Sequence, residues 1–210
     1  MTNPQIKLKI RKNPKQVKVA TTKGEKKIVV VVFNYRDTVA TVPVTLSIAE
    51  NSQVFCVICC NLLGNSNVSL VTNQDHNNMG GVSHLLCKTV SHDGSKFSFS
   101  GTITISKKGQ KSHAYQRNEN LLLGTEGAVT SEPKLQILAN DVFCTHGSTT
   151  GYLDEEQVFY LQSRGLSKEK IKALLSKGFL LSGVDMLVNA GLPLPVIQDL
   201  SDEVEKALLV

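Results

Sequence analysis

Residues 96–106 read "KFSFSGTITIS", in which Phe97, Phe99, Gly101, Ile103 and Ile105 alternate with Ser and Thr. An extended chain sends successive side chains to opposite faces, so this period of two describes a strand with one dry face and one wet face. Working outward, "QIKLKIRK" (5–12) repeats the pattern, setting Ile6, Leu8 and Ile10 against Lys7, Lys9 and Arg11. "KIVVVVFNY" (27–35) and "NVSLVT" (67–72) add β-branched, strand-forming content. From residue 5 to about 150 the chain reads as short strands.

Punctuation orders those strands. Gly64, Gly80, Gly94, Gly109, Gly127 and Gly147 follow one another at intervals of 16, 14, 15, 18 and 20 residues. No helical pattern lies between them to supply the crossovers of an ordinary α/β sheet. Two arrangements fit, a β-sandwich or a solenoid whose coils stack on one another. The near-regular spacing favours the solenoid and leaves the sandwich open.

At Gly151 the period changes. Asp154 reads as a helix N-cap with Gln157 three residues on, Val158, Phe159 and Leu161 form an apolar stripe, and Gly165 stands at the C-cap. A second helix follows, capped by Ser167 and stapled by Leu166 and Ile171, with Ile171, Leu174, Leu175 and Phe179 along one face. "PLP" (193–195) breaks the chain before a last amphipathic stretch at 196–209. The expected division is a β body over 1–151 and a helical segment over 152–210 suited to docking.

With 210 residues the chain suits one domain, and 5% aromatics without Trp imply a core of Val, Ile and Leu. The net charge of +5 is uneven. Residues 1–27 hold nine basic side chains and one acid, and the remaining 183 residues carry a net −3. Those basic residues alternate with Ile and Leu, and no aromatic precedes Phe33. A cationic edge strand that resists edge-to-edge pairing accounts for them, so no nucleic-acid partner is expected. The start of the sequence never reaches an apolar signal region, and the longest apolar run, "IVVVVF" (28–33), is too short to span a bilayer. The expectation is a cytoplasmic protein with reduced thiols and no membrane partner.

Five cysteines cannot all pair internally. Cys56 and Cys59 have metal-site spacing, yet on a strand residues i and i+3 point to opposite faces, and no second such pair exists. Cys56, Cys59, Cys60 and Cys87 therefore read as small buried hydrophobes. His76, His84, His92 and His113 are scattered without ligand spacing and read as surface or turn residues. No phosphate-binding loop or nucleophile elbow occurs, so no enzyme is expected.

"NDVFCTHGSTTG" (140–151) is different. Cys144 and His146 stand two apart, so on a strand they project from the same side, roughly 6.5–7 Å apart. A thiolate and an imidazole at that separation can converge on one iron or zinc ion. Two ligands do not close a four-coordinate site, so another residue or another chain must contribute. The structural reading stands beside this one: a buried cysteine and a histidine that caps the turn.

Residues 98–179 closely resemble the core of the SufB/SufD family of iron–sulfur cluster assembly proteins. The resemblance is carried by "GQKSHAYQRNENLLL", "EPKLQILANDVFCTHGSTTG", "LDEEQVFYLQSRG" and "LLSKGF". It implies a mainly β protein: a right-handed parallel β-helix followed by a small C-terminal helical segment. It also implies a scaffold that pairs through its β-helix with a SufB-type subunit or with itself, and that docks a SufC-type ATPase through its helices. Phe159, Leu161 and Leu174 are then partner contacts. Cys144 and His146, on the family's C-[ST]-H-G motif, become the binding residues for iron or a transient iron–sulfur cluster shared with a partner chain. The resemblance places a cysteine of SufB types in the segment "YQRNENLLL", where this chain offers Asn118 or its neighbours, which makes the chain SufD-like. The resemblance implies an N-terminal helical region and more β-helix in usual family members, and this sequence is about half their usual length. The alternatives are a metal-dependent enzyme on a β-solenoid using Cys144 and His146, or a structural paralogue whose site is empty.

Overall fold

Among the described residues, eleven strands follow one another before the first helix, and every strand pairs in parallel with the strand two places away. The computed structural model describes residues 7–208, with side chains from residue 12 onward. The strands are β1 (Lys7–Lys12), β2 (Val17–Ala20), β3 (Lys26–Arg36), β4 (Val39–Ile48), β5 (Gln53–Leu63), β6 (Asn67–His76), β7 (Val82–Ser91), β8 (Lys96–Ile105), β9 (His113–Leu122), β10 (Ala128–Ile137) and β11 (Phe143–Tyr152). Odd strands form one sheet in the order β1-β3-β5-β7-β9-β11, and even strands form the other in the order β10-β8-β6-β4-β2. Each coil thus lends one strand to each sheet. The result is a parallel β-solenoid, which removes the sandwich alternative, since a sandwich pairs its strands antiparallel.

Gly64, Gly80 and Gly94 turn the coil corners with φ of 58°, 71° and 80°. At Gly64 the reason is also steric. Asp37 Oδ1 accepts the Asn65 N–H at 2.8 Å across the corner, and a Cβ on Gly64 would lie 2.2 Å from that oxygen. Gly147 departs from the expected series: it lies inside β11 and turns nothing.

Two apolar layers hold the molecule together. Between the sheets, Val29, Val31 and Phe33 of β3 meet Val42, Val44 and Leu46 of β4, and the same stacking continues through Cys56, Ile58, Leu70, Leu85, Phe97 and Phe99. The other face of β3 and β5 is dry as well. Ile28, Val30, Val32, Phe55, Val57 and Cys59 are covered by the C-terminal helices. This explains why β3 and β5 read as unbroken apolar runs while β8 alternates. Cys56 and Cys60 face the inner layer and Cys59 the helical layer, as strand alternation requires. His76 departs from the expected surface position. It is fully buried at the end of β6, because it continues the inward row of Val68, Leu70, Thr72 and Gln74.

The helices are α1 (Glu155–Ser163), α2 (Lys168–Asp185) and α3 (Leu194–Leu208), with a 3-10 turn over Met186–Val188. Asp154 caps α1 by accepting from the N–H groups of Glu156 and Gln157, Ser167 caps α2 by accepting from Lys170, and Gly165 follows α1 at φ 86°. Helix α3 begins at Leu194 and takes Pro195 into its first turn, where the missing N–H has no intrahelical partner to lose. The buried face of α2 is Ile171, Ser176, Leu180, Gly183 and Val184, rotated from the expected one, and Leu174 is exposed. Small residues set that rotation. Gly183 lies against Val57 and the Lys88 stem, where a Cβ would sit 3.3 and 3.1 Å from their nearest atoms.

Among the described residues, strand β1 has a neighbour on one side only, β3. Residues 1–6 of the basic N-terminal stretch lie outside the described residues.

Candidate functional site

The last strand, β11, pairs with β9 in the register Cys144↔Ala114, His146↔Gln116, Ser148↔Asn118 and Thr150↔Asn120. Among the described residues, its other edge carries no strand. Three of the even-numbered residues visibly face the solenoid interior. Cys144 packs on the cluster of Ile103, Ile105, Ala114 and Ala139. Ser148 Oγ donates to Asn118 Oδ1 at 3.5 Å, and Asn120 Nδ2 donates to Thr150 Oγ1 at 3.2 Å. Alternation places His146 in the same row. Cys144 and His146 therefore share one side of the final strand, at the open end of the solenoid, with Cys144 half-buried and His146 exposed.

Burial pushes the Cys144 thiol above its ordinary pKa. At neutral pH it rests as a protonated thiol and becomes a ligand only when a cation displaces the proton. Among the described residues no group of three or more His, Cys, Asp and Glu side chains could hold a metal ion. The pair offers two ligands, and completion must come from elsewhere.

Farther along the same row, beneath Ser148 and Thr150, lies a hydrogen-bonded floor. Asn118 and Asn120 exchange amide bonds at 3.2 and 2.8 Å, and Asn120 Nδ2 also donates to the Thr149 carbonyl at 3.1 Å. These amides tie β11 to β9 from within. On the outer face, a cleft of about 740 Å3 opens between β7, β9 and β11 and the end of α2, bordered by His84, Tyr115, Arg117, His146, Asp185 and Asn189. An ion cluster forms part of its lining. Lys88 Nζ lies 2.6 Å from Glu119 Oε2 and 4.2 Å from the ring centre of Phe179 on α2, and Arg117 closes on the same carboxylate. Desolvation would raise the Glu119 pKa, but the hydrogen bonds and charges of Lys88 and Arg117 outweigh it and hold the carboxyl below its usual range.

The three expected partner contacts sit apart from this pair, on the α1–α2 hairpin. Helix α1 buries no residue. Phe159 is 73% exposed and Leu174 48%, and Leu161 is half-buried. Tyr160 on the same helix is exposed as well and is not marked by the sequence pattern. Gln116 was missed as well, since a polar residue in a strand normally signals a wet face, and this one is buried.

A family model described as "SUF system FeS cluster assembly, SufBD core domain" matches residues 13–179. The chain belongs to this family. Among curated relatives, the chain is 34% identical over 123 residues to iron–sulfur cluster assembly protein SufD of Escherichia coli (strain K12), covering 59% of this chain and 29% of that protein. It is 34% identical over 116 residues to a SufBD family protein of Synechocystis, covering 55% and 26%. It is 36% identical over 90 residues to the chloroplastic protein ABCI7 of Arabidopsis thaliana, covering 43% and 19%. The matched segments span less than a third of each of these relatives. Within the SufB/SufD family the chain is SufD-like.

Proposed function

We propose that this chain is a non-enzymatic, SufD-like scaffold subunit of iron–sulfur cluster assembly, in which Cys144 and His146 receive iron or a nascent cluster once a second subunit completes the ligand set. The observation that carries the reading is their placement. A thiol and an imidazole stand on the same side of an edge strand that has no neighbour on its outer side, at an open solenoid end. A partner strand laid along β11, from a SufB-type subunit or a second copy, would bring further ligands to that spot.

In this scheme the iron and sulfide are cargo. The chain supplies Cys144, whose proton leaves as the cation arrives, His146 as a nitrogen ligand, and the amide floor of Asn118 and Asn120 that keeps β11 in register. The α1–α2 hairpin supplies the docking surface for a SufC-type ATPase through Phe159, Leu161 and Leu174. Reduced thiols suit a cytoplasmic setting, and the Cys144 thiol is free. Among the described residues no helix is long and apolar enough to cross a membrane. A metal-dependent enzyme on the same solenoid would need a third ligand and a general base beside the pair, and the observed surroundings of Cys144 favour neither.

Anaerobic reconstitution of the wild type and Cys144→Ser with co-purified partners tests the site. Cluster absorbance in the wild type and its loss in the variant are expected; equal spectra overturn the proposal. Alanine at Phe159, Leu161 and Leu174 together is expected to abolish co-purification with the ATPase, and undiminished complex formation removes the docking role.

A further inference from the structure

The inner layer of the solenoid is apolar through its first coils and then becomes polar directly beneath the final strand. His76 Nε2 and Ser83 Oγ lie 2.7 Å apart, Gln74 Nε2 donates to Ser83 Oγ at 2.7 Å, and Gln116 Nε2 donates to Thr72 Oγ1 at 3.3 Å and Gln74 Oε1 at 3.2 Å. Every one of these side chains is buried. A polar network in a hydrocarbon interior is a liability unless fully satisfied, and this one is not. Gln116 is 3% exposed, both bonds to its amide nitrogen are made, and its carbonyl oxygen Oε1 has no partner. Space is reserved for that oxygen. Gly101 faces it across the interior, and a Cβ there would come within 2.4 Å of it.

The residue in register with Gln116 on the next strand, on the same side, is His146. The structure thus sets a buried acceptor without a donor one strand below an exposed imidazole with no hydrogen bond of its own. A histidine that binds a metal characteristically donates its second ring N–H to a carbonyl or carboxylate, which fixes the tautomer and aims the ligating nitrogen. Here Thr72 and Gln74 hold the Gln116 amide nitrogen, so its carbonyl stays turned into the interior as an acceptor.

We infer that Gln116 is a positioning residue for His146: its side-chain carbonyl accepts one imidazole N–H and leaves the other nitrogen as a lone pair for the ion shared with Cys144. The inference rests on the proposed Cys144–His146 site, and the experiment separates the two. In the full chain labelled with 15N, long-range imidazole correlations report the tautomer of His146. The wild type is expected to show a single tautomer. Gln116→Met, of similar length without an acceptor, is expected to show a mixture, and Gln116→Glu, which keeps an acceptor, is expected to restore one form. Should Gln116→Met fail to fold, Gly101→Ala displaces the same carbonyl without altering Gln116 and is expected to give the mixture. A mixture in the wild type, or a single tautomer in both Gln116→Met and Gly101→Ala, overturns the inference and leaves the orphan oxygen to a buried water. Cluster yield in the reconstituted complex is expected to fall about tenfold in Gln116→Met and recover in Gln116→Glu. If the tautomer responds but Cys144→Ser reconstitutes like wild type, the cluster reading fails and the positioning role stands. If the tautomer does not respond, the positioning role fails whatever the cluster yield.

Discussion

Strand position decides what each cysteine and histidine of this chain can do. Cys59 is fully buried against α2, its Sγ lies 3.4 Å from the Leu180 carbonyl, and desolvation pushes its pKa up to about 12, so it is an inert core residue. Cys144 has the same chemistry on an open strand and remains reachable. That contrast was legible in the sequence, because alternation alone places Cys56 and Cys59 on opposite faces and Cys144 and His146 on one. His76 was not legible. Alternation puts it in line with Val68 and Leu70, yet nothing local says that the inward row stays buried after it turns polar at Thr72. Its burial has a pH consequence. Desolvation lowers the His76 pKa from the ordinary 6.5 to about 4. Above about pH 6.5 the ring is neutral in both the folded and unfolded chains and pH has no leverage through it. As pH falls from there toward 4, the unfolded chain takes up a proton that the folded state refuses, and stability drops by as much as about 3 kcal/mol. His84 and His92 are shifted in the same direction. Urea unfolding at about pH 7 and about pH 4.5 should therefore show a smaller acid loss for His76→Asn than for wild type. Equal losses would assign the acid sensitivity to other groups.

The helices show how far local signals reach. Asp154, Ser167 and Gly165 mark the ends of α1 and α2 from a few residues of sequence, and the observed caps match, because a cap is a contact within one turn. The face that α2 buries could not be read in the same way. It depends on Gly183 and Ser176 fitting against β5 and β7, more than 80 residues away in the chain. The unbroken apolar runs of β3 and β5 carried half of that message: such strands need cover on both faces, and the sequence does not say what provides it. Two truncations separate the packed face of the hairpin region from its free surface. Leu180→Ala removes a fully packed side chain between α2 and β5, and a cost of about 2–5 kcal/mol is expected in chemical denaturation. Phe159→Ala removes a side chain that touches little, and its unfolding free energy should stay within about 0.5 kcal/mol of wild type while ATPase binding weakens. If Phe159→Ala destabilises as much as Leu180→Ala, α1 belongs to the core and the docking surface lies elsewhere.

At the scale of the whole molecule, a solenoid built of parallel coils ends in unpaired strands, and the two ends of this one are treated differently. Strand β1, at one end, reads "KLKIRK", four basic residues in six, which is the usual guard against edge-to-edge association. At the other end, β10 carries Pro133 between Glu132 and Lys134, whose charged groups pair at 3.3 Å, so it is guarded too. Strand β11 reads "FCTHGSTTGY" and carries no Asp, Glu, Lys or Arg. Ten residues of open, uncharged edge make a template for another strand, and the chain places its one accessible cysteine on it. The basic edge was legible because charge pattern is local. The open edge was not, since "FCTHGSTTGY" counts as unguarded only once it is known to be last in its sheet. Association through β11 is therefore expected, with a SufB-type subunit or with a second copy. Ser148→Lys places a charge on the inward row of that strand and should weaken association by about tenfold or more in analytical ultracentrifugation, because a desolvated, unpaired ammonium exceeds the 1.4 kcal/mol that a tenfold change requires. Lys18→Ser, at an exposed position of β2 at the opposite end, should leave association unchanged. If both variants assemble as tightly as wild type, β11 is not the pairing edge; if Lys18→Ser alone disrupts assembly, the interface lies at the basic end and Cys144 and His146 stand far from any second subunit.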